Sequence, residues 1–460
     1  MILFAMALAC LSNRSNLSEN FYQAGVLSQI LSKGAAFAPV SNGLAIHLKI
    51  DKQGNIGPNE FDVSGTGLPT AVHLALEDLK YSEGNITFRA AIKNTSGSPI
   101  EGVRFDHSGV AETYRAKDKD GKDIQLVRSQ SAKSTAPPYF GDLATAETAD
   151  PIPMQVSGVS IKPETIAVDV KFVLSGLRFI KAFGSSKGQM APKSIHVAKD
   201  GSLLISAGNT PNLFRFDAEG ENQQTVYSVG EQPFIYHSVN PKTDEWTITP
   251  LNSNGVLAFS KTGTPQGKFP PGEEGFGNWA HATRYDREGN LWVEHSSSIH
   301  KYSGAKKLLT CDNAGAYFEG YAGFDVDADG RLWVACKEGL VRFAPDLKAK
   351  TVIATGHNPA LGAVVLNEQA RNVRIDSAGN AWLCEEFHID PAVAPRISVF
   401  DRNGRFIRSF GRGGRTSPEA DSSLAGGLGH MATDVAFGKN GRVYVTSDDL
   451  TKSVLVFEAF

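Results

Sequence analysis

Two periodicities divide the chain. From about Val40 to Ser175, apolar and polar residues alternate with period two, as half-buried strands require. The runs are Leu44-Ala-Ile-His-Leu-Lys-Ile50, Ile86-Thr-Phe-Arg-Ala-Ala-Ile92, Ile100-Glu-Gly-Val-Arg-Phe105 and Thr165-Ile-Ala-Val-Asp-Val-Lys-Phe172, with a turn at Asn94-Thr-Ser-Gly97. About seven such runs, separated by turn formers, predict a β-sandwich over 37–175. Ahead of it, Ser12–Ala36 is polar and then weakly amphipathic, with Phe21, Val26, Leu27, Ile30 and Leu31 at near-helical spacing. That pattern predicts a tether with one short helix.

After Gly176 a longer repeat takes over. Five segments place a glycine turn before an apolar strand carrying a large residue three places on: Asp200-Gly-Ser-Leu-Leu-Ile205, Glu288-Gly-Asn-Leu-Trp-Val293, Asp329-Gly-Arg-Leu-Trp-Val334, Ala378-Gly-Asn-Ala-Trp-Leu383 and Asn440-Gly-Arg-Val-Tyr-Val445. A sixth, Pro241-Lys-Thr-Asp-Glu-Trp-Thr-Ile248, keeps the tryptophan and has Thr243 where the glycine is expected. The aligned positions 201, 243, 289, 330, 379 and 441 lie 42, 46, 41, 49 and 62 residues apart. Four short strands and their turns need about that length, which is one propeller blade. Each unit also carries a later strand ending in an aromatic: Phe216, Phe259, Tyr302, Phe343, Phe400 and Phe457.

Two independent periodic marks over six units predict a six-bladed β-propeller spanning 176–460. The last run, Ser453-Val-Leu-Val-Phe-Glu-Ala-Phe460, is a third strand with no fourth behind it. Arg178-Phe-Ile-Lys-Ala-Phe-Gly184 copies Arg405-Phe-Ile-Arg-Ser-Phe-Gly411, the fourth strand of blade five. The missing strand is therefore expected from the N-terminal side, where it closes the ring and removes an open edge. The fold class is all-β, with a sandwich followed by a propeller.

The repeat pattern resembles NHL-type six-bladed propellers and their relatives, the streptogramin lyases and gluconolactonases. The stretch Ile86–Phe105 resembles the immunoglobulin-like modules of bacterial surface proteins. Both resemblances imply architecture; function has to be argued from a site.

Composition narrows the partners. Charged residues make up 21% and the net charge is −3, so no overall field draws the chain to nucleic acid or to an anionic membrane. Four cysteines, Cys10, Cys311, Cys336 and Cys384, are too few for a disulfide-built scaffold. Met1–Cys10 is an apolar run of signal-peptide length, and Ala7-Leu8-Ala9-Cys10 loosely resembles a lipoprotein cleavage box. Export follows as an expectation, to periplasm, cell surface or exterior, with a lipid anchor at Cys10 as an option. The run is too short to be a permanent transmembrane span.

Candidate chemistry gathers at one mouth of the channel. Eleven residues before each aligned turn stand Met190, Gln232, Asn278, Glu319, Glu368 and His430. Six or seven after it stand Ala207, Thr249, His295, Cys336, Glu385 and Asp448. Blades three to six thereby bring carboxylates and imidazoles together, which a divalent cation (Ca²⁺ or Mg²⁺) or an acid–base pair would use. The related lactonases and lyases imply the same. Asn278, Glu319, Glu368 and Asp448 are the candidate metal ligands, and His295, Glu385 and His430 the candidate catalytic residues. The alternative is that these groups satisfy strand ends and hold channel water. Two insertions fall on this face, 385–395 in blade five and 412–427 before blade six, and offer Glu386, His388, Asp390, Arg412 and Arg415 for binding.

Two cation-loop lookalikes are read as hairpin turns: Asp325-Val-Asp-Ala-Asp-Gly330, whose twelfth position is Cys336, and Lys117–Asp123. Cys336 and Cys384 lie at nearly matching places on neighbouring blades, open to a disulfide or to two buried thiols. Trp292, Trp333, Trp382 and Tyr444 are expected between blades. Two functions stay open. One is an exported bacterial binding or scaffold protein that recognises a protein, small molecule or glycan through the blade-five and blade-six loops. The other is a divalent-metal-dependent lyase or lactonase at the channel mouth.

Overall fold

The computed structural model describes residues 38–40, 44–50, 56–65, 72–82, 85–106, 115–117, 123–125, 139–149, 151–157, 167–184, 191–228, 234–250, 255–269, 280–295, 298–312, 323–336, 339–354, 357–358, 363–364, 370–385, 396–411, 428, 432–447 and 453–459. The expected tether helix and Cys10 lie outside the described residues. Among the described residues the regular structure is strands and a 3-10 turn at Lys439–Gly441, and no helix is long and apolar enough to cross a membrane. The chain forms two compact units, parting at Arg178 and Phe179.

The first unit holds β1 (Ala38–Val40), β2 (Leu44–Ile50), β3 (Ile56–Gly65), β4 (Val72–Ser82), β5 (Asn85–Asn94), β6 (Ile100–Asp106), β7 (Arg115–Lys117), β8 (Asp123–Gln125), β9 (Tyr139–Leu143), β10 (Ile152–Ser157) and the start of β11 (Ala167–Phe183). One antiparallel sheet has the order β1-β4-β5-β10. A second is built on β11, which pairs with β2, β6 and β7, with β3, β9 and β8 beyond them. The turn expected at Asn94 is present. The buried Asn94 amide donates to the carbonyls of Ser98, Leu143 and Ala144, and its Oδ1 accepts the Ser96 N–H at 3.0 Å. The chain thereby leaves one sheet at β5 and enters the other at β6. Ile92, Ile100, Val103 and Leu177 are buried.

The second unit is a six-bladed β-propeller. Blade one is β12 (Pro192–Val197), β13 (Leu203–Ala207), β14 (Asn212–Phe216) and β15 (Gln224–Ser228). Blade two is β16 (Phe234–Val239), β17 (Trp246–Pro250), β18 (Val256–Phe259) and β19 (Pro265–Phe269). Blade three is β20 (Ala280–Tyr285), β21 (Leu291–His295), β22 (Ser298–Ser303) and β23 (Lys306–Cys311). Blade four is β24 (Phe324–Val326), β25 (Leu332–Cys336), β26 (Gly339–Phe343) and β27 (Lys350–Ala354). A short hairpin, β28 (His357–Asn358) and β29 (Ala363–Val364), follows. Blade five is β30 (Ala370–Ile375), β31 (Ala381–Glu385), β32 (Arg396–Phe400) and β33 (Phe406–Phe410). Blade six has three strands of its own, β34 (Ala432–Phe437), β35 (Arg442–Ser447) and β36 (Val454–Ala459). Its fourth is the end of β11, hydrogen-bonded to β36.

The closure is therefore the one read from the sequence, with two differences. The runs 165–172 and 178–184 are a single strand of 17 residues, so the boundary between units falls inside a strand. Ile180 is also exposed, leaving two aromatics of that run to face protein. Phe179 meets Phe457 edge-on with centroids 5.7 Å apart, and Phe183 meets Phe216 of blade one at 5.4 Å. The Phe183 ring covers Gly220 so closely that a Cβ there would lie 2.3 Å from it.

Register explains the repeat. The aromatic near the end of each third strand sits opposite a residue at the start of the second strand: Phe216 to Leu203, Tyr302 to Leu291, Phe343 to Leu332, Phe400 to Ala381 and Phe457 to Val443. In blades three, four and five the next residue is a tryptophan whose indole N–H donates to the turn aspartate six residues earlier. The pairs are Trp292 to Asp286 (3.0 Å), Trp333 to Asp327 (2.9 Å) and Trp382 to Asp376 (2.9 Å). The 325–330 segment is thus a hairpin turn, its Asp327 taken up by Trp333 and Arg331. Trp292 packs on Phe324 and Val334 of blade four, Trp333 on Val373 and Leu383 of blade five, and Trp382 against Phe437 of blade six. Tyr444 completes the circle against Ile195 and Phe216 of blade one.

Blade two departs from this scheme. Trp246 pairs with Phe259, the place that Leu291 occupies opposite Tyr302. Its turn is one residue longer, and Asp244 (φ 60°) adopts the left-handed conformation that the turn glycines hold elsewhere. The position aligned from sequence, Thr243, is thus one residue early. A one-residue slip sends a strand side chain to the opposite face. Trp246 accordingly packs back on Leu213 and Tyr227 of blade one.

Closure gives the first prediction. Deleting 178–184 removes the fourth strand of blade six, and the double substitution F179A/F183A removes two half-buried aromatics worth about 3 kcal/mol together. In thermal melts both variants should lose stability, the deletion more. A few residues inserted within 412–427 should leave the melt near that of the parent.

Candidate functional site

Innermost strands of a propeller line its channel, and here several of them carry charge among apolar neighbours. Asp434 on β34 is 0% exposed. Its Oδ2 accepts the Ile195 N–H of blade one at 3.0 Å. Its Oδ1 accepts the Asn372 side-chain amide of blade five at 2.8 Å and pairs with the Arg374 guanidinium at 3.0 Å. Arg374 also donates to the Ile195 carbonyl at 3.0 Å and to the Val435 carbonyl at 3.2 Å. Arg284 of blade three, 2% exposed, reaches across to Asp434 at 3.9 Å and lies over the Tyr236 ring of blade two. Burial, followed by repulsion from Arg374, lowers the Arg284 pKa, and Asp434 opposes that shift. These residues tie together blades one, two, three, five and six.

The sequence reading missed this cluster. Its signal was a polar or charged residue interrupting the first strand of a repeat: Arg284 in β20, Asn372 and Arg374 in β30, and Asp434 in β34.

At the mouth, the second strands end in a ring set by register. Ala207, Pro250, His295, Glu385 and Ser447 sit opposite Pro192, Phe234, Ala280, Ala370 and Ala432 of their first strands. The blade-two slip puts Pro250 there in place of Thr249, and blade six presents Ser447. Of the candidate site residues, the structure describes His295 and Glu385. Asn278, Glu319, Glu368, Glu386, His388, Asp390, Arg412, Arg415, His430 and Asp448 lie outside the described residues. Among the described residues no three His, Cys, Asp or Glu side chains are placed to hold a metal ion.

His295 is half-buried, its ring 6.3 Å from that of His300 on β22, whose Nδ1 lies 3.1 Å from Thr310 Oγ1. Glu385 is unlike it. It is 2% exposed, and among the described residues neither carboxyl oxygen makes a well-formed hydrogen bond. Burial pushes its pKa up to about 8, offset in part by the nearby Ser398 hydroxyl and Arg396 of β32. At neutral pH the side chain is mostly the neutral acid, able to donate a proton or a hydrogen bond. Cys336 and Cys384 are buried free thiols, and burial raises the Cys384 pKa.

The ring of blades defines the protein as a six-bladed β-propeller. Solved structures similar to it lie at low identity. A streptogramin B lyase is 13% identical, with a TM-score of 0.43, covering 62% of this chain and 98% of that one. A gluconolactonase from Xanthomonas campestris is 10% identical, with a TM-score of 0.44 and coverages of 62% and 90%. A Bacteroides thetaiotaomicron protein of unknown function is 10% identical, with a TM-score of 0.45 and coverages of 84% and 98%. No family model and no curated protein matches the chain.

Two variants test the site's electrostatics. Asp434→Ala leaves the buried Arg284 and the half-buried Arg374 guanidiniums without their carboxylate, so urea denaturation should show a loss of about 3–5 kcal/mol. For Glu385 the folded pKa lies above the unfolded one, so its stabilisation is complete below the unfolded value and is lost as pH rises toward 8. Between pH 6.5 and 8 the parent should lose about 2 kcal/mol that Glu385→Gln does not lose.

Proposed function

We propose that the propeller is a recognition module that binds a polar ligand at the channel mouth around Glu385, with the blade-five and blade-six loops as its specificity elements. The observation that supports this most directly is the bonding of the channel charges. Asp434, Arg284, Arg374 and Asn372 are occupied by one another and by strand backbones. They hold blades together, which leaves recognition to the strand ends and to the loops that leave them. Glu385 stands at the root of the blade-five insertion, and Glu386, His388, Asp390, Arg412 and Arg415 follow in the two loops. A neutral carboxylic acid there offers a hydrogen-bond donor suited to the hydroxyl and carbonyl oxygens of a glycan. The sandwich unit serves as a spacer in this reading.

A second reading, a divalent-metal-dependent lyase or lactonase, draws on the same residue. A carboxylic acid with a pKa of about 8 is protonated at neutral pH and could serve as a general acid.

One set of measurements on the purified full chain separates the two. A labelled sample applied to a glycan microarray should retain specific spots, lost in an H388A/R412A variant with an unchanged melt. Metal analysis of the same sample decides the alternative. A stoichiometric divalent ion together with an empty array would overturn recognition and favour the enzyme.

A further inference from the structure

The seam between blades one and two is built differently from the others. Toward the rim it is apolar, with Leu204, Leu213, Trp246 and Ile248 in contact. Toward the channel it holds two imidazoles. Ile195 of β12 packs on blade six with Tyr444 and Ala436, so its neighbour His196 is turned toward blade two. Tyr236 of β16 packs on blade three with Trp292 and Ala282, so its neighbour His237 is turned toward blade one. His237 is 1% exposed, among the described residues neither ring nitrogen makes a well-formed hydrogen bond, and His196 beside it is half-buried. The Ser194 hydroxyl lies 3.5 Å from the His237 carbonyl and ties the two innermost strands together.

We propose that this seam is an acid-sensitive joint: His196 and His237 meet there as neutral imidazoles between two innermost strands, and protonating either one opens blades one and two ahead of the rest of the ring. The charged groups around the pair act against the imidazolium. Arg374 of β30 and Arg284 of β20 repel it from the channel side, and the imidazoles repel each other. Asp434 of β34, a buried carboxylate of the channel, is engaged by Arg374, Asn372 and the Ile195 N–H. Asp244, in the blade-two turn, favours charging of His196 but is itself paired with Lys199 at 2.8 Å on the exposed rim. The Leu204 backbone of β13 is the group that favours a charged His237. Lys193 of β12 folds over Gly208.

Burial is the largest contribution in both histidines, taking His196 down to about 4 and His237 well below its ordinary value. A depressed folded pKa means stability that is present above the unfolded value near 6.5 and lost as pH falls toward the folded one. At pH 5.5 an opening that frees one imidazole is favoured about tenfold over pH 7.5, and one that frees both about 100-fold. Glu385, in blade five, has the opposite sign over the same range, so a whole-protein melt would mix the two effects.

Hydrogen exchange read by mass spectrometry on the full chain keeps them apart. At pH 7.5, 6.5 and 5.5, corrected for intrinsic rates, peptides covering 192–207 and 234–250 should lose protection about tenfold or more by pH 5.5. Those covering 291–311 and 332–354 should hold theirs. In His237→Asn the loss should shrink toward the single-imidazole value. Equal loosening of all blades, or none in blades one and two, overturns the proposal, and the unsubstituted chain alone suffices for that comparison.

Discussion

A ring of blades holds only if the last blade grips the first, and in this protein a single buried carboxylate does much of that gripping. Asp434 belongs to blade six, yet its oxygens take the Ile195 amide of blade one and the Asn372 amide and Arg374 guanidinium of blade five. Removing a carboxylate from water costs several kcal/mol, and the cost is offset only where donors of fixed geometry replace the lost hydration. Three donors from two neighbouring blades meet that condition. They can do so only when the ring is closed, so the contact reports closure as well as stabilising it.

The rim repeats the logic with apolar groups. β11 adds the fourth strand to blade six and presents Phe179 to Phe457 and Phe183 to Phe216. Between axle and rim, tryptophans anchored by their own turn aspartates reach the following blade, and Tyr444 does so across the closing seam, its hydroxyl donating to the Ala218 carbonyl at 3.1 Å. Blade two breaks the series because its turn holds one more residue, and its tryptophan turns back to blade one. The seam it shares with blade one is therefore filled from one side near the rim and by imidazoles near the channel.

This arrangement divides the labour between interior and mouth. Guanidiniums and a carboxylate bonded across the channel have a structural task, so their burial and charge do not by themselves mark a site. Glu385 is a different case. Its carboxyl group is buried at a strand end, at the base of a long insertion, beside Ser398 and Arg396 of its own blade, and none of the contacts between blades described above uses it. A group whose pKa is displaced by burial and that no contact between blades accounts for is the stronger functional candidate.

Much of the architecture was written in the sequence because it depends on local periodicity. A glycine before an apolar strand and an aromatic ending the third strand recur in every blade but for Thr243. The copy of Arg405–Gly411 at Arg178–Gly184 disclosed which strand closes the ring. These marks survive in one dimension because each blade must form the same turns and bury the same face. The rest depends on distances between residues far apart in the chain. That Trp246 faces backward follows from one additional turn residue, and register becomes visible only when strands are paired. That Asp434 meets Ile195, Asn372 and Arg374 required the ring to close, bringing together groups separated by as many as 239 positions. That Glu385 is the neutral acid and Cys336 and Cys384 are separate thiols follows from burial and spacing, which the tertiary structure alone decides.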